Sequence, residues 1–141
     1  MEKILAVIRI RGSVGTAREI KDTLNMLKLT SINHCVLVPE TASNTGMLEK
    51  VGDYVTWGEV DKPVLEELIE KRARLPGDRR VDKKMVAEII DSILKNKPLK
   101  IKGVFRLSPP SGGFRSIRRR FPRGDLGKRG KAINDLLRRM I

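Results

Sequence analysis

The sequence predicts an α+β domain with a cationic, irregular segment near its C-terminal end. The apolar residues change period along the chain, from continuous β-branched runs to helical spacing and back, whereas a coiled coil or fibre would keep one period. The charge is also unevenly placed. Thirty Lys+Arg against 17 Asp+Glu give +13 overall, yet residues 1–95 hold 16 basic and 15 acidic side chains while 96–141 hold 14 and 2. A balanced body with a cationic end is the footprint of a chain that meets a polyanion, either nucleic acid or an anionic membrane.

The elements follow in order. ILAVIRI, closed by Gly12 and Gly15, reads as a buried strand over Ile4–Ile10. Ala17, Ile20, Leu24 and Leu27 share one helical face up to about Leu29, with Thr16 and Glu19 spaced as a capping box. His34–Val38 is a second strand, and the short connector implies a right-handed crossover. Asn44-Thr45-Gly46 caps a brief helix through Val51, and DYVTWGEV alternates as a third strand. Asp61 and Pro63 open a helix that turns Val64, Leu65, Leu68 and Ile69 inward.

Leu75-Pro76-Gly77-Asp78 stops that helix, and Asp82 caps another that carries Met85, Val86, Ile89, Ile90, Ile93 and Leu94. LKIKGVFRL alternates Leu99, Ile101, Phe105 and Leu107 inward against Lys100, Lys102 and Arg106 on a wet face. Ser108 to Lys131 is Pro/Gly-rich and basic with little to bury. A last helix over about Lys131–Met140 points Ile133, Leu136, Leu137 and Met140 at the body, so the basic segment is pinned at both ends.

Several function classes are excluded at this level. A single cysteine forms no intramolecular disulfide, and neither a secretory leader nor an apolar run approaching ~18 residues is present, so the expectation is a soluble intracellular protein. His34 and Cys35 are the only residues of their kinds. As neighbours on a strand they point to opposite faces, which leaves no nucleophile–base pair and no zinc ligand set; no catalytic residue, metal or cofactor is expected. Gly127-Lys128 lacks the spacing of a phosphate-binding Walker loop. The Gly12–Gly15 turn could seat one phosphate, but a tight strand-to-helix turn explains it equally well.

The constellation that remains is basic. Arg115, Arg118, Arg119, Arg120 and Arg123 fall within nine positions with no acidic residue between them, and Lys128, Arg129 and Lys131 follow. A solvated charge run is the alternative, but Arg-rich composition favours phosphate, which the planar guanidinium binds through two parallel hydrogen bonds. Only five aromatics are present. Tyr54, Trp57 and Phe105 sit in predicted strands and are expected in the core, while Phe114 and Phe121 bracket the arginines. So few stacking platforms favour folded RNA read by its backbone over a single strand.

The motifs IRIRGSVG and VLVPETASNTGMLEKVGDYVTWGEV, followed by FRLSPPSGGF and GDLGKRGKAINDLLRRM, resemble in that order the universal large-subunit ribosomal protein of the L-thirty family. The later motifs look like the longer archaeal and eukaryotic members, called L-seven in eukaryotes. A start directly at the first strand looks archaeal. The resemblance implies a small β-α-β-α-β core over residues 1–60, loosely ferredoxin-like. A helical pair and strand over 61–107 would complete the same domain, and a basic arm and helix would occupy 108–141. It also implies RNA-facing turns at Arg9, Arg11 and Arg18 and at Asn44, Thr45, Gly46, Met47 and Lys50.

The expected partners are 23S-type large-subunit rRNA, with a place close to 5S rRNA among the expectations, and other large-subunit proteins, with no membrane. The expected function is that of a non-enzymatic structural constituent of the cytoplasmic large subunit. The competing class is a free-standing nucleic-acid binder such as an RNA chaperone or chromatin protein, which the composition alone permits.

Overall fold

The computed structural model describes residues 4–12, 15, 17–29, 31–39, 41–72, 74–75, 79–80, 88–90, 104–107, 110–111, 113, 124 and 126–140. Strand β1 (Ile4–Arg9) is buried along its whole length and lies at the centre of the main sheet. Helix α1 (Arg18–Met26), β2 (His34–Pro39), α2 (Ala42–Lys50), β3 (Val55–Glu59) and α3 (Lys62–Arg72) follow in the expected alternation. Beyond them come β4 (Arg74–Leu75), β5 (Arg79–Arg80), β6 (Val104–Arg106), β7 (Gly127–Lys128), a 3-10 turn (Gly130–Ala132) and α4 (Ile133–Met140).

The main sheet runs β6-β2-β1-β3-β7. β1 is antiparallel to both β2 and β3, with Val7 opposite Val36 on one side and Trp57 on the other. This corrects the expected crossover, since the handedness rule governs parallel strands only. Here α1 is an excursion that returns to the end it left, and the Asn33 N–H donates to the Arg9 carbonyl at 2.8 Å.

Because β1 alternates, it feeds two cores. Leu5 and Val7 join Leu24, Leu27, Leu29, Leu48, Val51, Val55 and Trp57 under α1 and α2. Ile4, Ala6 and Ile8 join Val64, Leu65, Leu68, Ile69, Phe105, Ile133, Leu136, Leu137 and Met140 under α3 and α4. The inward apolar residues of α3 and α4 are the ones their helical spacing predicts, and Asn134 is buried beside them. Of the expected Met85–Leu94 helix only Glu88–Ile90 is described; it is helical, and Ile89 and Ile90 are buried in the second core.

Helix ends depart from expectation. Ala17 occupies the α1 N-cap without a side-chain hydrogen bond, and Thr16, the expected cap, lies outside the described residues. α1 ends at Met26 in a Schellman turn: Lys28 adopts φ +63°, its N–H donates to the Asn25 carbonyl at 3.0 Å, and the Leu29 N–H donates to the Leu24 carbonyl at 2.9 Å. For α2 the cap is Thr41, whose Oγ1 accepts from the Asn44 N–H at 3.2 Å, so Asn44 lies inside the first turn.

The C-terminal third differs most. Leu75 does more than end a helix, because β4 pairs antiparallel with β5 in a small second sheet, with Pro76, Gly77 and Asp78 outside the described residues. Asp82, Leu99 and Lys100–Lys102 also lie outside them. The expectation that Ser108–Lys131 has little to bury is overturned at its end. Leu126, Gly127 and Arg129 are buried, and β7 pairs parallel with β3, sealed by the Thr56 hydroxyl donating to the Gly127 carbonyl at 2.9 Å.

Buried Asn134 then ties α4 to the β3–α3 junction. Its Oδ1 accepts from the Asp61 N–H at 2.8 Å, and its Nδ2 donates to the carbonyls of Glu59 at 3.2 Å and Lys131 at 2.9 Å. Asn134→Ala strands those backbone groups and is expected to cost about 2 kcal/mol. In a thermal melt that is a fall of roughly 5–8 °C; an unchanged midpoint would show that the bonds are dispensable.

Candidate nucleic-acid interface

The first group of basic residues lies at the end of the sheet where β1 stops. Arg9 shares the β1 face of Leu5 and Val7 and is 2% exposed. Its Nη1 donates to the Leu29 carbonyl at 2.7 Å and its Nε to the Arg11 carbonyl at 2.9 Å. Burial lowers its pKa below the ordinary arginine value, and the group remains cationic in the protein. Arg9 therefore organises the turn from inside rather than presenting a cation to solvent. The alternation that places Leu5 and Val7 in the core was the signal for this, since Arg9 continues their row.

Arg11 is the outward member of the pair. It is half-exposed, with its guanidinium carbon 5.1 Å from the centroid of the Tyr54 ring and its Nη1 donating to the Asp53 carbonyl at 3.4 Å. Tyr54 is accordingly divided between the α1/α2 core and this contact, where a core role alone was expected. Arg18 stands exposed at the first position of α1.

On α2, Gly46 and Lys50 are exposed while Asn44, Thr45 and Met47 are half-buried. Asn44 and Met47 face a cleft of about 460 Å³ between α2 and the end of α1, which contributes Met26 and Lys28 to its wall. Thr45 lines a smaller cleft of about 200 Å³ with Glu49, Trp57 and Lys128. The β3–β7 pairing thus brings Lys128 beside α2, a proximity with no sequence signal because 83 positions separate Thr45 from Lys128. Lys131 is exposed on the 3-10 turn, whereas Arg129 is 8% exposed and its N–H donates to the Trp57 carbonyl at 2.9 Å.

The arm leaves from the other side of the sheet. Pro110 is buried, and the Ser111 N–H donates to the carbonyl of Arg139 on α4 at 3.0 Å. Arg139 Nη1 in return donates to the carbonyls of Ser111 at 3.4 Å and Gly113 at 3.2 Å. Arg115, Arg118, Arg119, Arg120 and Arg123, with Phe114 and Phe121, lie outside the described residues. The described root of the arm, at Pro110–Ser111, sits on the α4 side, and the α2 residues lie on the opposite face.

The groups that suit catalysis are inert. Cys35 is wholly buried in the α3/α4 core, and burial pushes its thiol up to about 12. The fold favours the protonated thiol, so its contribution to stability is whole below pH 9 and is lost as pH rises toward 12. Native protein at pH 8 is expected to leave a thiol reagent unconsumed until denaturant is added, and fast native labelling would contradict the burial. His34 is half-buried on the neighbouring face. Burial first, then the charges of Arg106 and Arg9, lower its pKa and keep it neutral at pH 7. Among the described residues no group of three or more His, Cys, Asp and Glu could hold a metal ion, and no helix is long and apolar enough to cross a membrane.

Comparison with known proteins converges on one description. The model of the family described as ribosomal protein L30p/L7e matches residues 5–55. The large ribosomal subunit protein uL30 of Methanococcus maripaludis is 45% identical, covering 96% of this chain and 98% of its own length. Proteins of the same name from Methanosphaera stadtmanae and Methanobrevibacter smithii are 43% and 44% identical, each over 96% of this chain and at least 98% of their own.

Proposed function

Since the chain belongs to the ribosomal protein L30p/L7e family, we propose that it works as a structural constituent of the cytoplasmic large ribosomal subunit, holding folded large-subunit rRNA by its phosphate backbone. The family is structural and not enzymatic. The observation that carries the rRNA reading is the partition of charge: 14 of the 16 charged residues after position 95 are basic, and the long relatives span the same region. Cations confined to one segment repel one another until phosphate compensates them.

Arg11, Arg18, Lys50, Lys128 and Lys131 are exposed or half-exposed, and with the arginines from Arg115 to Arg123 they are the groups assigned to RNA. Gly46 presents backbone, and Asn44, Thr45 and Met47 shape the α2 surface. Arg9 and Arg129, both buried, position the elements that carry the others. Contacts to neighbouring large-subunit proteins and a place close to 5S rRNA belong to the same proposal, and a crosslinking map of purified subunits tests both.

Neutralising about six to ten phosphates, with the slope of duplex DNA, gives a loss of roughly 10³–10⁵ in affinity between 50 and 200 mM salt. Binding of transcribed large-subunit rRNA should follow that slope. A flat salt dependence, or absence of the protein from purified large subunits by mass spectrometry, overturns the proposal.

A further inference from the structure

The end of the sheet at Arg9–Arg11 is built more tightly than a simple phosphate contact needs. The Ile10 and Arg11 N–H groups both donate to the Tyr54 carbonyl, at 2.9 and 3.2 Å, and the Arg11 carbonyl accepts from Arg9 Nε. The Arg11 main chain is thereby held from two sides. Its side chain is held too, by the Tyr54 ring 5.1 Å below its guanidinium carbon and by the Asp53 carbonyl. A guanidinium fixed over an aromatic ring offers a flat, weakly hydrated outer face, and unpaired bases stack on such planes.

The next residue along the chain carries an apolar neighbour. Gly12 is exposed, and among the described residues a Cβ there would meet the Ile32 Cδ1 at 3.7 Å. Ile32 is 48% exposed, and it and Met26 are the exposed large hydrophobic residues among those described. The Asp53 carbonyl already takes one Arg11 donor, which leaves fewer N–H groups for a phosphate. The guanidinium plane over the ring is what distinguishes the spot.

We propose that Arg11, laid over Tyr54, is a stacking platform for one unpaired nucleobase. This rests on the RNA-binding reading above and deepens it. The arm grips phosphate irrespective of base, whereas the platform takes a nucleotide whose base is splayed out of its helix. Lysine at position 11 would keep the charge and lose the plane.

The test uses the full chain and two probes of equal length and charge, a dodecameric oligoadenylate and an abasic ribose-phosphate dodecamer. Wild type is expected to bind the oligoadenylate roughly tenfold more tightly, in line with base–aromatic stacking elsewhere. Arg11→Lys should abolish that preference, leaving the melting temperature unchanged. Tyr54→Leu should do the same where it folds; because Tyr54 also packs in the core, Arg11→Lys is the deciding variant. Equal wild-type affinity for the two probes, or a preference that survives Arg11→Lys, overturns the platform. If large-subunit rRNA still binds with a steep salt slope, only the platform falls; if no RNA binds, the reading beneath it falls as well.

Discussion

Gly58→Ala is expected to be the most damaging single substitution in the protein. A Cβ on Gly58 would be driven into the carbonyl oxygen of Gly130, and would also lie 2.9 Å from the Gly130 carbonyl carbon and 3.0 Å from the Ile133 Cβ. Backbone cannot rotate out of the way as a flexible side chain would. The strand and the 3-10 turn must separate, which loosens β7 and lifts α4, whose Ile133, Leu136, Leu137 and Met140 are wholly buried. Overpacking typically costs 1–3 kcal/mol, and the loss of α4 contacts puts this case at or above about 3 kcal/mol. In a melt that is a fall on the order of 10 °C. Trp57 stands opposite Lys128 in the β3–β7 register and lines a cleft with it, so Trp57 fluorescence should report the loss of β7. A midpoint within a degree of wild type would refute the close approach.

The largest functional effect is expected from the arm. Replacing Arg118, Arg119 and Arg120 together by alanine removes three cations from a segment with no acidic residue between Arg115 and Arg123. If each neutralises one phosphate, counterion release implies roughly 10²-fold weaker rRNA binding near 0.15 M salt, and a salt slope smaller by about 3. The melting temperature should stay within about a degree, since the basic sequence around these three residues offers little to bury. A large drop in melting temperature with intact binding would mean the three arginines serve the fold instead.

The contrast between these two residue sets explains what was legible in the sequence. Periodicity marked β1 and picked out Val64, Leu65, Leu68, Ile69, Ile133, Leu136, Leu137 and Met140 correctly, because burial of one face is a local pattern. Caps slipped by one to three residues where Thr41, Ser43 and Asn44 crowd together and each has the chemistry to cap. Strand direction was misread because a β-α-β order in sequence serves antiparallel as well as parallel neighbours. β7 was invisible: two residues carry no alternation, and the Gly58–Gly130 contact that seats it joins positions 72 apart.

The candidate site divides the same way. The arm rests on net charge and the turns on family resemblance. Alternation marks Arg9 as inward, and the fold adds that Leu29 holds it there while Arg11, two residues on, lies over Tyr54.

A chain growing from its N-terminus completes β1, α1, β2, α2 and β3 while α4 does not yet exist. Asn134 reaches Asp61 across 73 positions, and at roughly 5–20 residues per second that interval lasts about 4–15 s. Throughout it the face of Ile4, Ala6 and Ile8 lacks the part of its cover that α4 supplies, and the arginines assigned to RNA emerge before that helix. The half-made molecule is both greasy and cationic, the combination most apt to precipitate with stray RNA. Late closure by α4 therefore makes the newborn chain, rather than the finished one, the form most exposed to aggregation.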